Sequence, residues 1–544
     1  MAQTRVVVIG GGMVGSRFAD DLLSRDHEAR YTVTVIGAEP YHSYNRVLLS
    51  DVVAGRTEIA SISLQQRPTP RLTTLRDVTV TRIDRIHRLV RTAEGQTHAY
   101  DVLVLATGAT ARIPAIPGLP IPGAPDGRLP RGVHVLRSLD DARAIVAESA
   151  NARRAIVIGA GVLGIEVAAG LHRRNLLVTL VHGWDWPMER QLTDEAGRIL
   201  LDRLEELGVR TVRQATARAI TTRDSRLCSV RIRSREVAGA DEIEVFDHEP
   251  DEWDERADLL VLACGTIPES TLAQAAGLPV DRGVVVDAQA RSTADSTIFA
   301  IGDCAQPAGG ATGLIAQGWQ QSRQLATLLT TGVHAGVGAA LETTTSAPVD
   351  VVRLKSDELD VVSMGVSGAS RGSAGDARTL RLADPDSRRY LEVVVRNDRV
   401  VGATCVGGGQ VATDLVAAYT RRTPVPADPA QLLVRPSSLM PAAAPDPVHM
   451  PDRTTVCSCN GVSKGEIVAC WRDGAESVAQ VAARTRATTG CGSCTSVVDG
   501  ILEWLVRSDP PQPPDTGSRQ PPDRQHPQPT TPALGRNIPA TSQV

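Results

Sequence analysis

The chain has 544 residues, 58 of them basic and 62 acidic, for a formal net charge of −4. That balance gives no electrostatic case for a nucleic-acid partner. No apolar run reaches the roughly 18 residues of a membrane-spanning helix, and nine cysteines in so long a chain exclude a small disulfide scaffold. At about 100–200 residues per domain, three or four domains are expected. All but two basic residues, Lys355 and Lys464, are arginine, which reads as compositional bias. The N-terminus runs straight into MAQTRVVVIG without a charged n-region or apolar h-region, so the expected compartment is the reducing cytoplasm.

The first 330 residues alternate strand-like and helical patterns, the signature of an α/β fold. Strands are predicted at Arg5–Ile9, Thr32–Ile36, Val102–Ala106, Ala155–Ile158, Val178–Val181 and Leu259–Ala263. Residues 347–420 form a separate α+β unit, with a β-hairpin predicted in EVVVRNDRVVGATCVG, turning at Asn-Asp, and a short helix from Val411. Residues 421–454 carry eight prolines and read as a linker. Residues 508–544 carry ten prolines and few apolar residues, so disorder is expected there. A folded module is expected between them, at 455–507.

VVVIGGGMVGSRFA near the N-terminus recurs as AIVIGAGVLGIEVAA near residue 155. Gly10, Gly12 and Gly15 form one G-x-G-x-x-G, and Gly159, Gly161 and Gly164 the other, each after a strand and opening a helix. Dinucleotides need this pattern. The first glycine makes the tight turn, the second lets the pyrophosphate approach the backbone, and the third lets helix and strand pack closely. After the first copy, Glu39 stands where a ribose-binding acid is expected. After the second, that position holds His182 with no arginine cluster, which favours NADH over NADPH.

Cys457-Ser-Cys459 and Cys491-Gly-Ser-Cys494, 31 residues apart, suit a tetrahedral sulfur site. Spacing alone leaves zinc and iron–sulfur open. The other five cysteines stand singly and are expected to be small buried hydrophobes.

VLVLATGA (Val102–Ala109, with Gly108), TIFAIGDCA (Thr297–Ala305) and ACGTIPE (Ala263–Glu269) resemble the strand-end motifs of FAD-dependent pyridine-nucleotide reductases over residues 1–330. The resemblance implies two Rossmann-like domains. An FAD domain spans 1–113 and 258–330, and an NAD(P)H domain at 114–257 is inserted in it. It implies that Gly302–Asp303 binds the flavin ribityl chain, that Arg46 in SYNRVLLS contacts FAD, and that Glu166 lies near the nicotinamide. Related reductases often follow that serine with lysine; this chain has Asp51. It also lacks the C-x-x-x-x-C of disulfide reductases and any cysteine directly after Glu39, so electrons are expected to leave the flavin by another route.

VCSCNGVSKGEI and TTGCGSC resemble the small helical 2Fe-2S domain of the bacterioferritin-associated-ferredoxin type, which implies one cluster on the four cysteines. HGWDWPMERQLTDEAG (His182–Gly197) resembles the electron-transfer subunits of assimilatory nitrate reductases and the N-terminal half of NADH-dependent nitrite reductase large subunits. The implied partner is a nitrate reductase catalytic subunit or another one-electron acceptor protein. A sirohaem domain is not expected, since the remaining cysteines show no cluster pairing. The alternatives are an NAD(P)H:ferredoxin or rubredoxin reductase of another pathway, and a non-catalytic redox-sensing or iron-handling protein. In related reductases the 347–420 unit is an interface domain, expected to line a homo-oligomer contact or flank the flavin.

Overall fold

Thr4–Ile9 (TRVVVI) is buried from Val6 onward, as a central parallel strand must be when both faces are covered. It lies in a six-stranded sheet of order Arg291–Ser292, Asp295–Ala300, Val102–Leu105, Thr4–Ile9, Tyr31–Gly37 and Leu72–Arg76. Arg291–Ser292 alone runs antiparallel to its neighbour. Helices Met13–Arg25 and Ile315–Thr331 cover one face, and the antiparallel strands Val80–Asp84, Leu89–Thr92 and Thr97–Ala99 cover the other. The computed structural model describes residues 3–64, 66, 68–120, 127–235, 251–331, 350–356, 358–368, 376–434, 447–448, 450–457, 460, 462–489 and 494–508.

A second, all-parallel sheet has the order Val209–Val212, Leu177–Val181, Arg154–Ile158, Leu259–Leu262 and Val133–Val135. Leu259–Leu262 corrects the boundary expected at 258. It pairs with Arg154–Ile158 and Val133–Val135, so the inserted domain runs past it. The chain crosses between the two sheets at Ala109–Ala111 and Thr266–Pro268, which pair antiparallel.

The third unit is a five-stranded antiparallel sheet, Val352–Arg353, Val361–Gly365, Arg399–Val406, Arg389–Arg396 and Arg378–Asp384, with helix Gly409–Arg421 packed on it. The hairpin of Arg389–Arg396 and Arg399–Val406 turns at Asn397 and Asp398, both at positive φ (49° and 53°), the geometry of a type I′ turn. One apolar core runs through the first three units, joining Tyr44, Leu49 and Val53 to Ile165, Leu171 and Leu200 and to Leu354, Val361 and Tyr390.

The fourth unit packs helices Lys464–Arg472, Val478–Thr485 and Thr495–Ser508 around Ile467, Val481, Val498 and Ile501. A Ser463/Glu466 capping box starts its first helix. The proline-rich stretch at 421–454 is only partly a linker. Leu433 is buried against the third unit and Met450 packs on the fourth, because each apolar side chain finds an adjacent core. Its residues 435–446 lie outside the described residues, as does the tail beyond Ser508. Among the described residues no helix is long and apolar enough to cross a membrane.

Candidate functional site

A cavity of about 840 Å³ opens at the C-terminal ends of the first sheet's strands. Gly10, Gly12, Glu39, Arg46, Gly108, Gly302 and Asp303 all line it. Gly15, Gly159, Gly161, Gly164 and Glu166 do not.

The two glycine turns divide their labour in the same way. Gly10 has φ +119°, and a Cβ there would sit 2.1 Å from the Ala106 carbonyl oxygen. A Cβ on Gly15 would sit 2.0 Å from the Gly10 oxygen. The corresponding distances are 2.4 Å from Ala263 for Gly159 and 1.8 Å from Gly159 for Gly164. These four glycines let strand, turn and helix close on one another. The middle glycines face space: a Cβ on Gly12 would meet only Arg46 Nε, at 3.8 Å, and one on Gly161 would meet nothing within 4 Å. Each gap lies at the start of a helix, Met13–Arg25 or Val162–Arg173, whose first N–H groups suit phosphate. Both cradles therefore fit a dinucleotide.

Charges alternate around the cavity. The Arg46 guanidinium pairs with Glu39, lies 4.8 Å from the Tyr44 ring centroid, and donates to the Arg137 carbonyl at 2.9 Å. Tyr44 Oη donates to Glu39 at 2.7 Å, and burial holds that phenol well above its ordinary range. Arg137 reaches in from the second domain, donating to Asp303 at 2.6 Å and to the Ala109 carbonyl at 2.9 Å. The sequence did not single out Arg137, because no local motif marks an arginine that acts across a domain boundary.

At the second cradle, the string that begins at His182 folds over the turn. Met188 is 1% exposed and its N–H donates to the Ala160 carbonyl at 2.9 Å. His182 is 4% exposed with neither ring nitrogen bonded, and burial, with Arg213 beside it, lowers its pKa to about 4. An orphaned imidazole at the position expected to face a ribose leaves hydrogen-bonding capacity for one. Glu166 lies on the helix that opens at the second cradle. It is 2% exposed and takes bonds from Ser50 Oγ (2.6 Å), the Lys355 N–H (2.9 Å) and Lys355 Nζ (3.0 Å).

Of the four paired cysteines, Cys457 and Cys494 are described and buried, while Cys459 and Cys491 lie outside the described residues. The Cys494 thiol and N–H groups at Asn460 and Thr488 point at the Cys457 sulfur and lower its pKa against its burial. A sulfur that collects donors in this way suits a thiolate ligand. Among the single cysteines, Cys304 and Cys405 are buried as expected. Cys264 and Cys470 are only partly covered, and Cys228 is exposed, because its side chain alternates to the outer face of strand Arg226–Ser234.

The cysteine module is seated on the first domain. Arg17 donates to Asn460 Oδ1, Arg486 pairs with Asp20, and Asn45 Nδ2 donates to the Thr489 carbonyl at 2.7 Å. Asn460 in turn donates to the Arg486 carbonyl at 2.6 Å and lies 3.6 Å from the Cys457 sulfur. Asn45 immediately precedes Arg46, so Thr489 of the cysteine module abuts the turn that walls the cavity.

Two nested, mainly parallel sheets, each with a glycine turn beneath an open gap, define a reductase of the two-dinucleotide kind. The chain belongs to the pyridine nucleotide-disulphide oxidoreductase family, which matches residues 4–327, and residues 455–504 match the BFD-like 2Fe-2S binding domain. It is 31% identical over 515 residues to the NAD(P)H nitrite reductase of Bacillus subtilis, covering 94% of this chain and 58% of that one. It is 29% identical over 523 residues to the assimilatory nitrate reductase electron transfer subunit of the same organism, covering 95% and 62%. The chain thus spans about three fifths of the length of these relatives. Rhodocoxin reductase of Rhodococcus erythropolis is 35% identical over 315 residues, 57% of this chain and 67% of that one. The solved putidaredoxin reductase–putidaredoxin complex shares the fold, with a TM-score of 0.63 at 23% identity over 80% of this chain and 97% of that one. The chain is an FAD-dependent NAD(P)H oxidoreductase carrying a 2Fe-2S domain.

Proposed function

We propose that the chain takes electron pairs from NAD(P)H and delivers them singly to a partner protein, the catalytic subunit of an assimilatory nitrate reductase. FAD belongs at Gly10, Gly12 and Gly15, the pyridine nucleotide at Gly159, Gly161 and Gly164, and the cluster on Cys457, Cys459, Cys491 and Cys494. When bound, these groups would supply hydride acceptance and one-electron release. The protein binds and orients them. The two helix starts answer the pyrophosphates, with Arg46 beside Gly12. Asp303, held by Arg137, meets the flavin side chain, and Glu39 the adenosine ribose. The lack of an arginine cluster after the second cradle favours NADH as donor, while Arg213 beside His182 keeps NADPH an alternative.

The observation that carries this reading is the seating of the cysteine module against Asn45, one residue from the cavity wall. The nitrate assignment draws on the electron transfer subunit aligned over 95% of this chain. Reconstitution with a candidate nitrate reductase, NADH and nitrate tests it: nitrite must form, and omission of this chain must abolish it. The likeness to rhodocoxin reductase favours a second reading, an NAD(P)H:ferredoxin or rubredoxin reductase with a small carrier protein as acceptor. Reduction of such a carrier without nitrite formation would select it. Turnover with an artificial one-electron acceptor below about 1 s⁻¹ would instead favour a sensing role.

A further inference from the structure

Lys355 is one of only two lysines in the chain. It belongs to the third unit, just after strand Val352–Arg353, yet its side-chain bonds leave that unit. Nζ donates to the Val47 carbonyl, to Ser50 Oγ at 3.0 Å and to Glu166 Oε2 at 3.0 Å. Its backbone N–H takes the other Glu166 oxygen at 2.9 Å. Asp51 lies 3.9 Å from Nζ and also pairs with Arg56, which returns a bond to the Lys355 carbonyl at 2.9 Å. Val47 and Ser50 come from the first domain, and Glu166 from the helix of the second cradle.

One ammonium with three donors thus meets three acceptors from two domains. A planar guanidinium cannot point donors in those three directions, which explains a lysine where arginine is otherwise the rule. Val47 itself lines the cavity beside Arg46. We infer that Lys355 is a positioning residue of the redox site: from the third unit, it fixes the Arg46–Val47 turn against the helix of the second cradle. The ammonium occupies the neighbourhood of Asp51, the position where related reductases often carry lysine. The inference rests on dinucleotides occupying both cradles and is independent of the electron acceptor.

The test uses the full chain with three variants, Lys355→Met, Lys355→Arg and Lys355→Met combined with Asp51→Lys. Two quantities are read: FAD affinity of the flavin-stripped protein by fluorescence, and the rate of flavin reduction by NADH per bound flavin. Lys355→Met is expected to weaken FAD binding and slow reduction about tenfold each, the scale of one charge-assisted hydrogen bond. Lys355→Arg, which keeps the charge and protects folding, is expected to recover only part of either loss. The double variant returns an ammonium within reach of Glu166 and is expected to restore both. Unchanged FAD affinity and unchanged reduction per bound flavin in Lys355→Met would overturn the inference. So would full activity in Lys355→Arg, or losses that Asp51→Lys does not repair. Because neither readout involves a partner protein, failure here is distinguishable from failure of the nitrate assignment.

Discussion

The Asn45 side-chain amide donates to the Thr489 carbonyl oxygen at 2.7 Å across 444 residues of sequence. This bond ties the turn before Arg46 to Thr489, two positions before Cys491 in the sequence. Nearby, Arg486 and Asp20 form an ion pair whose side chains are 20% and 7% exposed. Burial lowers the Arg486 pKa to about 10, so the guanidinium stays charged at neutral pH.

Removing one partner of that pair leaves a buried charge, which costs about 3–5 kcal/mol. Arg486→Ala is therefore expected to loosen the cysteine module while sparing the two cradles. Stopped-flow measurements should find flavin reduction by NADH within about twofold of the parent, on the scale of ordinary surface substitutions. Electron delivery to a protein acceptor should fall about tenfold or more. Equal losses in both steps would refute the seating as an electron-transfer contact.

Cys457→Ser and Cys491→Ser test the linear order of carriers. Each is expected to leave flavin reduction intact and to abolish transfer to the physiological acceptor. The parent protein should hold iron and give an EPR signal after reduction, which the variants should lose. Zinc without iron in the parent would sink the cluster assignment.

The glycines offer a sharper separation of folding from binding. Gly10→Ala and Gly15→Ala drive a Cβ to within 2.1 and 2.0 Å of backbone oxygen and are expected to prevent folding of the first domain. Gly12→Ala and Gly161→Ala meet no protein atom closer than Arg46 Nε at 3.8 Å, and should fold. The first should then lose FAD from a folded chain, and the second should raise KM for NADH. Thermal melts and flavin content per chain distinguish the outcomes. A Gly12→Ala protein that keeps full flavin would exclude FAD from the first cradle.

What the sequence made legible was local. Both glycine turns, the six strand runs and the Asn397–Asp398 hairpin are written within short windows of period and turn chemistry. The sheet to which Leu259–Leu262 belongs was not legible, since strands buried on both faces look alike. Nor were the contacts that complete the site: Arg137 meets Asp303 across 166 residues, and Lys355 meets Glu166 across 189. Pairs made between domains leave no periodicity, and a lysine among arginines carries a signal only once its three acceptors are seen.

His182 sets a pH limit on stability. Its imidazole is buried and unbonded, with a pKa of about 4 in the folded chain against about 6.5 when exposed. Burial is the main cause; Arg213 adds to it and Asp185 opposes it. Between these values the unfolded chain binds a proton that the folded chain refuses, so folding stability rises with pH across the window. The contribution is fully present above about pH 6.5 and is lost as pH falls toward about 4, amounting to at most about 3 kcal/mol. His182→Gln removes the titration and should flatten the dependence of Tm on pH over this window, relative to the parent. Parallel pH profiles for the two proteins would show that His182 is free to protonate in the folded state.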